Sequence, residues 1–344
     1  MGNALGPSPA VLHSPASISA LATSALTTLW GDRAPIALEE SRLQQELSRT
    51  ELFERICVRD PYFALREVRV MGPGEVTAQV PVEQEPHGEA SPLMAAEVGR
   101  HMAILGSCAA SLLHKGGQHF YLARRASLER LHEGPLPKAT GLLRGTARAE
   151  FKERRTASAS TLLSSADGQP LFAMSVDYNV LSSAAFQRLF QGARQELRRA
   201  PRGERPGGEP GEFAAQRRNP YSEPLPLESL EREGECLRAT LGPVSADLCK
   251  GHFAMYPVLP VAMVMGGLSG VAGMLLRQLV GNPAARYLVT RGEVRAESLV
   301  YAGETVLFDA QRQGVRGRDH FFDCWASVAG RVVGVVQLTL TCLE

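Results

Sequence analysis

A chain of 344 residues with 44% hydrophobic and 21% charged residues has room for two ordinary globular domains. Its formal net charge of +1 excludes a broad nucleic-acid surface, which needs clustered excess Lys and Arg. Cys57, Cys108, Cys236, Cys249, Cys324 and Cys342 show no CxxC or Cys/His metal spacing, so buried thiols in a reducing, cytoplasmic setting are expected, and neither a disulfide framework nor a metal centre.

In chain order, residues 1–59 read as an N-terminal arm with a short helix near Ile18–Trp30. No basic stretch precedes its apolar part, so no secretory signal is expected. Gly6 stands where a myristoylation motif takes Ser or Thr. From residue 60 to 191 the pattern is that of a first domain. Glu75–Val82 alternates through Val76, Ala78, Val80 and Val82 as a half-buried strand does. An apolar stretch, Leu93–Leu113, then predicts a buried helix. Thr140–Phe151, Arg154–Ser164 and Leu171–Val180 are predicted as long strands with short turns that favour antiparallel pairing.

Residues 192–222 read as a linker. The stretch 192–220 holds seven arginines and four glutamates among many Gly and Pro, a composition that cannot bury a core. Residues 223–344 form a second domain, with strands predicted at Tyr287–Val300, Glu304–Gln311, Asp319–Val328 and Val332–Leu343. From Gly251 to Leu276 there is no Asp, Glu, Lys or Arg. Pro257 and Pro260 leave only about 16 residues for an uninterrupted helix, short of the roughly 20 a bilayer demands, so a core helix is expected and no membrane span.

The two domains repeat one pattern. His87 and Pro92 precede the first apolar stretch as His252 and Pro257 precede the second. Tyr121-Leu122 and Tyr287-Leu288 open the β-rich parts, and Gly168 and Gly330 precede the last strands. The spacings are 165, 165, 166 and 162 residues, which points to a duplicated unit of one helix and several antiparallel strands.

The most informative stretch is Gly251-His252-Phe253-Ala254-Met255-Tyr256-Pro257-Val258-Leu259-Pro260-Val261. It resembles the GHFPxxPxxPG motif of FabA/FabZ-type 3-hydroxyacyl-thioester dehydratases, with His, Phe and both prolines at the family's spacing. The resemblance implies an α+β fold of two hotdogs in tandem, two curved antiparallel sheets each wrapping a central helix. It also implies an active site at their junction, with a histidine from one hotdog and an acid from the other's helix. An imidazole suits removal of the α-proton, and an acid kept protonated by an apolar tunnel suits the departing hydroxyl. Phe253, Pro257, Pro260, Val261 and Gly266 are the residues expected to shape the substrate site. Pro260 would start the helix, and the Val261 N–H is the candidate donor to the thioester oxygen.

Departures from the motif are Ala254-Met255 and Pro260-Val261, where the family has Pro-Gly each time. The helical acid normally stands fourteen residues beyond the histidine, and Gly266 stands there. One composite site is therefore expected, joining His252 to the first helix. Fourteen residues beyond His87 is His101, whereas counting from Pro92 lands next to Glu97. The two are four apart on one helix face. Glu97 is the expected acid, with His101 hydrogen-bonded to it or in its place; a Glu–His pair at the seam is the plainer alternative. His87 is expected in an exposed polar loop, Glu83–Ser91, and His320 at a strand start in a structural role. His114, His119 and His132 have no metal spacing, and no cofactor motif is present.

The expected substrate is an acyl thioester of an acyl carrier protein or coenzyme A, with Arg124, Arg125 and Arg144 as candidate carrier contacts. A homodimer is compatible with the pattern. Alternatives are thioester hydrolysis by Glu97 and a non-catalytic acyl-binding or scaffold protein.

Overall fold

The computed structural model describes residues 45–343 except 86, 92, 115–116, 133–142, 191–218 and 254–255. The helix expected near Ile18–Trp30, Pro92, Ala254-Met255 and most of the linker lie outside the described residues.

Helix α1 (Arg49–Ile56) starts where Ser48 accepts the Glu51 N–H at 3.1 Å and ends at Cys57 in a left-handed conformation. Strands β1 (Arg66–Gly72) and β2 (Glu75–Val80) lead to α2 (Ala95–Leu113). Then follow β3 (His119–Arg130), β4 (Leu143–Glu153), β5 (Thr156–Ser164) and β6 (Pro170–Ser182). Beyond the linker come β7 (Leu227–Glu233), β8 (Cys236–Leu241), a 3-10 turn at Ala246–Cys249, and the short β9 (Val258–Leu259). Helix α3 (Val261–Val280) is followed by β10 (Arg286–Ala296), β11 (Val300–Tyr301), β12 (Val306–Arg316), β13 (Asp319–Val328) and β14 (Arg331–Leu343).

Twelve strands form one antiparallel sheet in the order β1-β2-β4-β5-β6-β3-β10-β14-β13-β12-β8-β7, and β9 pairs with β11. Read outward from its middle, the order is the same on both sides: β3-β6-β5-β4-β2-β1 on one, β10-β14-β13-β12-β8-β7 on the other. Where two sheets were expected, the ladder is continuous. Arg125–Glu129 of β3 pair with Arg291–Arg295 of β10, and Ser127 donates to Glu293 at 2.7 Å across that seam.

Helix α2 packs on β4 and β5, and α3 on β12, β13 and β14. Small residues on the strands let the first helix approach: an added Cβ at Gly145 would lie 2.8 Å from Leu105 and 2.9 Å from Met102. Alternating burial of Leu143, Gly145, Ala147 and Ala149 gives β4 one face under the helix. Each large apolar side chain buried this way contributes on the order of 2 kcal/mol.

Helix α3 runs to Val280, beyond the point predicted, and ends at Gly281 with φ +71°, whose N–H bonds back to Arg277. Among the described residues it is the one helix long and apolar enough to cross a membrane, and most of it is buried. It is a core helix, with Leu268, Val271, Ala272, Leu275 and Leu276 fully enclosed. The six cysteines are free thiols.

Candidate active site at the seam

The His252 loop is built by local geometry. Gly251 has φ +78°, and an added Cβ would lie 2.3 Å from the Arg59 carbonyl, so only glycine fits. Arg59 N–H donates to the Gly251 carbonyl at 2.9 Å, and Val58 bridges His252, which ties this loop to the segment just after α1. The His252 Nδ1–H donates to the Val258 carbonyl at 3.2 Å, which leaves Nε2 with its lone pair. The ring lies between Phe253, 4.0 Å away, and Tyr62, 5.0 Å away and edge-on. Burial pulls its pKa down to about 4, partly opposed by the bond to Val258. His252 is therefore a neutral imidazole at physiological pH.

Pro260 is the N-cap of α3. The first helical bonds run from Met263 and Val264 to the Pro260 carbonyl, so the N–H groups of Val261 and Ala262 stand outside the ladder. His252, Phe253, Val261 and Tyr62 line one cavity of about 380 Å³. Gly99 and Ala103 of α2 form the facing wall, and β3 and β10 contribute to it from the seam. Arg124 and Arg125, both exposed, also line it, whereas Arg144 does not. Of the residues expected to shape the site, Pro257 is exposed and Pro260 buried, and neither lines the cavity. The Pro257 carbonyl accepts from Ala302 and so holds the loop in place.

Glu97 and His101 stand elsewhere. Glu97 lines a second cavity of about 330 Å³, together with Gly266, Gly270, Glu89 and Arg100. His101 is fully buried and lines neither cavity. The pair expected at α2 is present, with His101 Nε2 3.5 Å from Glu97, but it does not face His252 across the first cavity. Instead it belongs to a buried cluster. Glu97 accepts the Glu83 N–H at 2.7 Å, Arg100 donates to the Glu83 carboxylate, and Asn219 donates to Glu83 at 2.6 Å. Burial raises the Glu97 carboxyl to about 7, and burial with the adjacent Arg100 charge lowers His101 to about 3. One Glu97 oxygen, Oε2, is buried without a hydrogen-bond partner.

Glu83, Glu97 and His101 offer ligand atoms within 4.8 Å of one another. The Arg100 guanidinium already sits among them, 3.2 Å from His101 Nε2 and bonded to Glu83. The cluster contains its own cation, so its donor set does not fit a metal.

Aligning the helices by their first residues explains the misplaced count. Ala95 matches Val261, so Gly266, the sixth residue of α3, matches Arg100, the sixth of α2. Neither helix carries a carboxyl at that position. The helix starts also differ chemically. The Ala95 N–H, equivalent to that of Val261, is taken by the Glu89 carboxylate at 3.0 and 3.2 Å. Glu89 is buried in the loop expected to be exposed, and burial raises its carboxyl to about 8. His87 in the same loop is exposed, as expected.

The chain is 24% identical over 102 residues to a 3-hydroxyacyl-[acyl-carrier-protein] dehydratase FabZ of Acinetobacter baumannii, covering 28% of this chain and 70% of that one. It is 24% identical over 105 residues to the same-named protein of Acinetobacter baylyi, covering 29% and 71%. In fold it is similar to the crystal structure of a protein assigned as an oleoyl thioesterase from Lactobacillus plantarum. There the TM-score is 0.51 at 14% identity, with 78% of this chain and 96% of that chain covered. No family model matches. The chain is a hotdog protein that resembles the FabZ-type dehydratases.

For this hotdog protein, motif reading located His252 and the α3 start and missed Tyr62, Glu89 and Arg100. Tyr62 lies 190 residues from His252, and no motif links them. The detectable signal for Arg100 was the alignment of helix starts, which is offset by one residue from the alignment of the histidines.

Proposed function

We propose that this chain is a double hotdog, residues 60–191 and 223–344, that dehydrates 3-hydroxyacyl thioesters at one site between the halves. The observation that carries this reading is that His252, whose Nδ1 is the nitrogen bonded to Val258, and Val261, whose N–H stands outside the helix ladder, line one largely apolar cavity. The imidazole removes the α-proton while the helix start stabilises charge on the thioester oxygen. In the first half Glu89 occupies the equivalent N–H, which supports a single site per chain. The thioester is carried by an acyl carrier protein or coenzyme A in fatty-acid or polyketide-type synthesis in the cytoplasm. Arg124 and Arg125 meet the carrier. No cofactor takes part. A homodimer would leave this site within each chain.

A second reading is favoured by Glu97, a helical carboxyl raised to about 7 that lines a cavity of its own. Such a group can activate water, and the activity would then be thioester hydrolysis. Incubation of the pure protein with a 3-hydroxyacyl thioester and with a saturated acyl thioester separates the two. Formation of the enoyl thioester supports dehydration, and release of free thiol supports hydrolysis. Neither product from either substrate overturns both and leaves an acyl-binding protein.

A further inference from the structure

A dehydration site needs a proton donor for the departing hydroxyl, and the helix position that carries an acid in the FabA/FabZ pattern holds Arg100 in one half and Gly266 in the other. Besides Tyr62, the cavity lining carries O–H groups on Ser107, Tyr121, Tyr178, Ser269, Ser298 and Tyr301, and of all seven only Tyr62 packs its ring against His252. The Tyr178 hydroxyl is committed to the Ala103 carbonyl at 2.7 Å, and Ser107 donates to the Ile104 carbonyl at 2.7 Å. Tyr121 lines the cavity, but its ring packs against Tyr178 and not against His252.

Tyr62 differs on each count. It lines the cavity, it is buried, and its ring meets the His252 ring edge-on at 5.0 Å. Among the described residues its hydroxyl bonds to no protein atom. The Arg100 guanidinium lies 5.9 Å from the Tyr62 ring centre, and Tyr221 packs against the same ring at 5.1 Å. The segment carrying Tyr62 is bonded to the His252 loop through Arg59 and Gly251, so the two side chains are held in one frame.

Resting on the dehydration reading, we infer that Tyr62 is the catalytic acid, paired with His252 and electrostatically supported by Arg100. His252 Nε2 takes the α-proton, and the C–H electron pair is held as an enolate whose charge lies on the thioester oxygen at the α3 start; it then becomes the second bond between C2 and C3. The C3–O bond breaks, and the leaving oxygen takes the Tyr62 proton and departs as water. The imidazolium returns its proton to the phenolate, which restores both residues; substrate has become enoyl thioester and water. Arg100 stabilises the transient phenolate. Glu83, whose carboxylate accepts from the Arg100 guanidinium, holds it at that place. Burial holds the Tyr62 phenol above its ordinary pKa, so it stays protonated through the neutral range.

The test follows two events in one substrate, a 3-hydroxyacyl thioester in D₂O: exchange of the C2 proton, and formation of the enoyl product. Tyr62→Phe removes one oxygen that no protein atom holds and should leave the fold intact by circular dichroism. The expected result is elimination reduced on the order of 100-fold or more with C2 exchange retained. His252→Ala should lose both events. Wild-type elimination in Tyr62→Phe would overturn the assignment, and so would loss of exchange together with elimination, which would mark Tyr62 as a support for His252. If the wild-type protein shows neither event, the dehydration reading itself falls, an outcome distinct from failure of the Tyr62 assignment.

Discussion

The Glu89 carboxylate accepts the N–H of Ala95, the first residue of its helix, with both oxygens at 3.0 and 3.2 Å. This buried carboxyl has its folded-state pKa raised to about 8, and Glu97 nearby is raised to about 7, mainly by burial. A raised pKa means the native state holds these protons more tightly than the unfolded chain. Between about pH 4.5 and 8 the native form binds more protons, so stability is greatest below that window and falls as pH rises through it. Glu89→Gln keeps an acceptor for Ala95 and removes the titration. Urea unfolding at pH 5 and pH 8 should show a smaller loss for Glu89→Gln than for wild type.

His252→Ala should lower enoyl formation by about 100- to 10,000-fold, the usual contribution of general acid–base catalysis. Glu97→Gln should leave enoyl formation within several-fold of wild type while abolishing any thiol release. The pH profiles divide the same way. Water loss needs neutral His252, so kcat/KM should rise through about pH 4 and then level off. Thiol release driven by Glu97 should rise through about pH 7.

The parts of the site that were legible in sequence are those made by contiguous residues. His252, Phe253, Pro260 and Val261 act within one loop and one helix start, so their spacing carries their geometry. The remainder depends on tertiary placement. Glu89 sits in a stretch of polar residues that reads as exposed, yet the helix start draws it inside. Arg100 and Gly266 match only when helix starts, not histidines, are aligned. Edge strand β7, Leu227–Glu233, was not legible because its residues are exposed and charged, with no alternation to mark a strand. Strands β4, β5, β12 and β13 were legible because burial under a helix imposes alternation, whereas β3, in the middle of the sheet, was marked only by Tyr121-Leu122 at its start.

The glycines of α3 should divide into two kinds. An added Cβ at Gly273 would lie 2.1 Å from the Tyr287 hydroxyl, so Gly273→Ala should cost about 1–3 kcal/mol through overpacking. At Gly270 nothing lies within 4 Å, so Gly270→Ala should be neutral or stabilising by up to about 1 kcal/mol from helix propensity. Thermal unfolding of both variants checks the contrast.

Reversing charge at the cavity mouth should change how a carrier protein docks. Arg124→Glu with Arg125→Glu should raise KM for an acyl-carrier-protein substrate roughly tenfold at low salt, with the difference shrinking as salt is added. A small thioester of the same acyl group should be turned over unchanged. Parallel kinetics on the two substrates at two ionic strengths decide it.

In a symmetric dimer every substitution occurs twice, so a residue that blocks one pocket blocks its twin. The β3–β10 pairing places two like-ordered halves on a single chain and lifts that constraint. Glu89 can then stopper one helix end while Val261 leaves the other open, and glycine can stand at 266 while its counterpart in the first helix is Arg100. The chain is free to place different groups on its two halves.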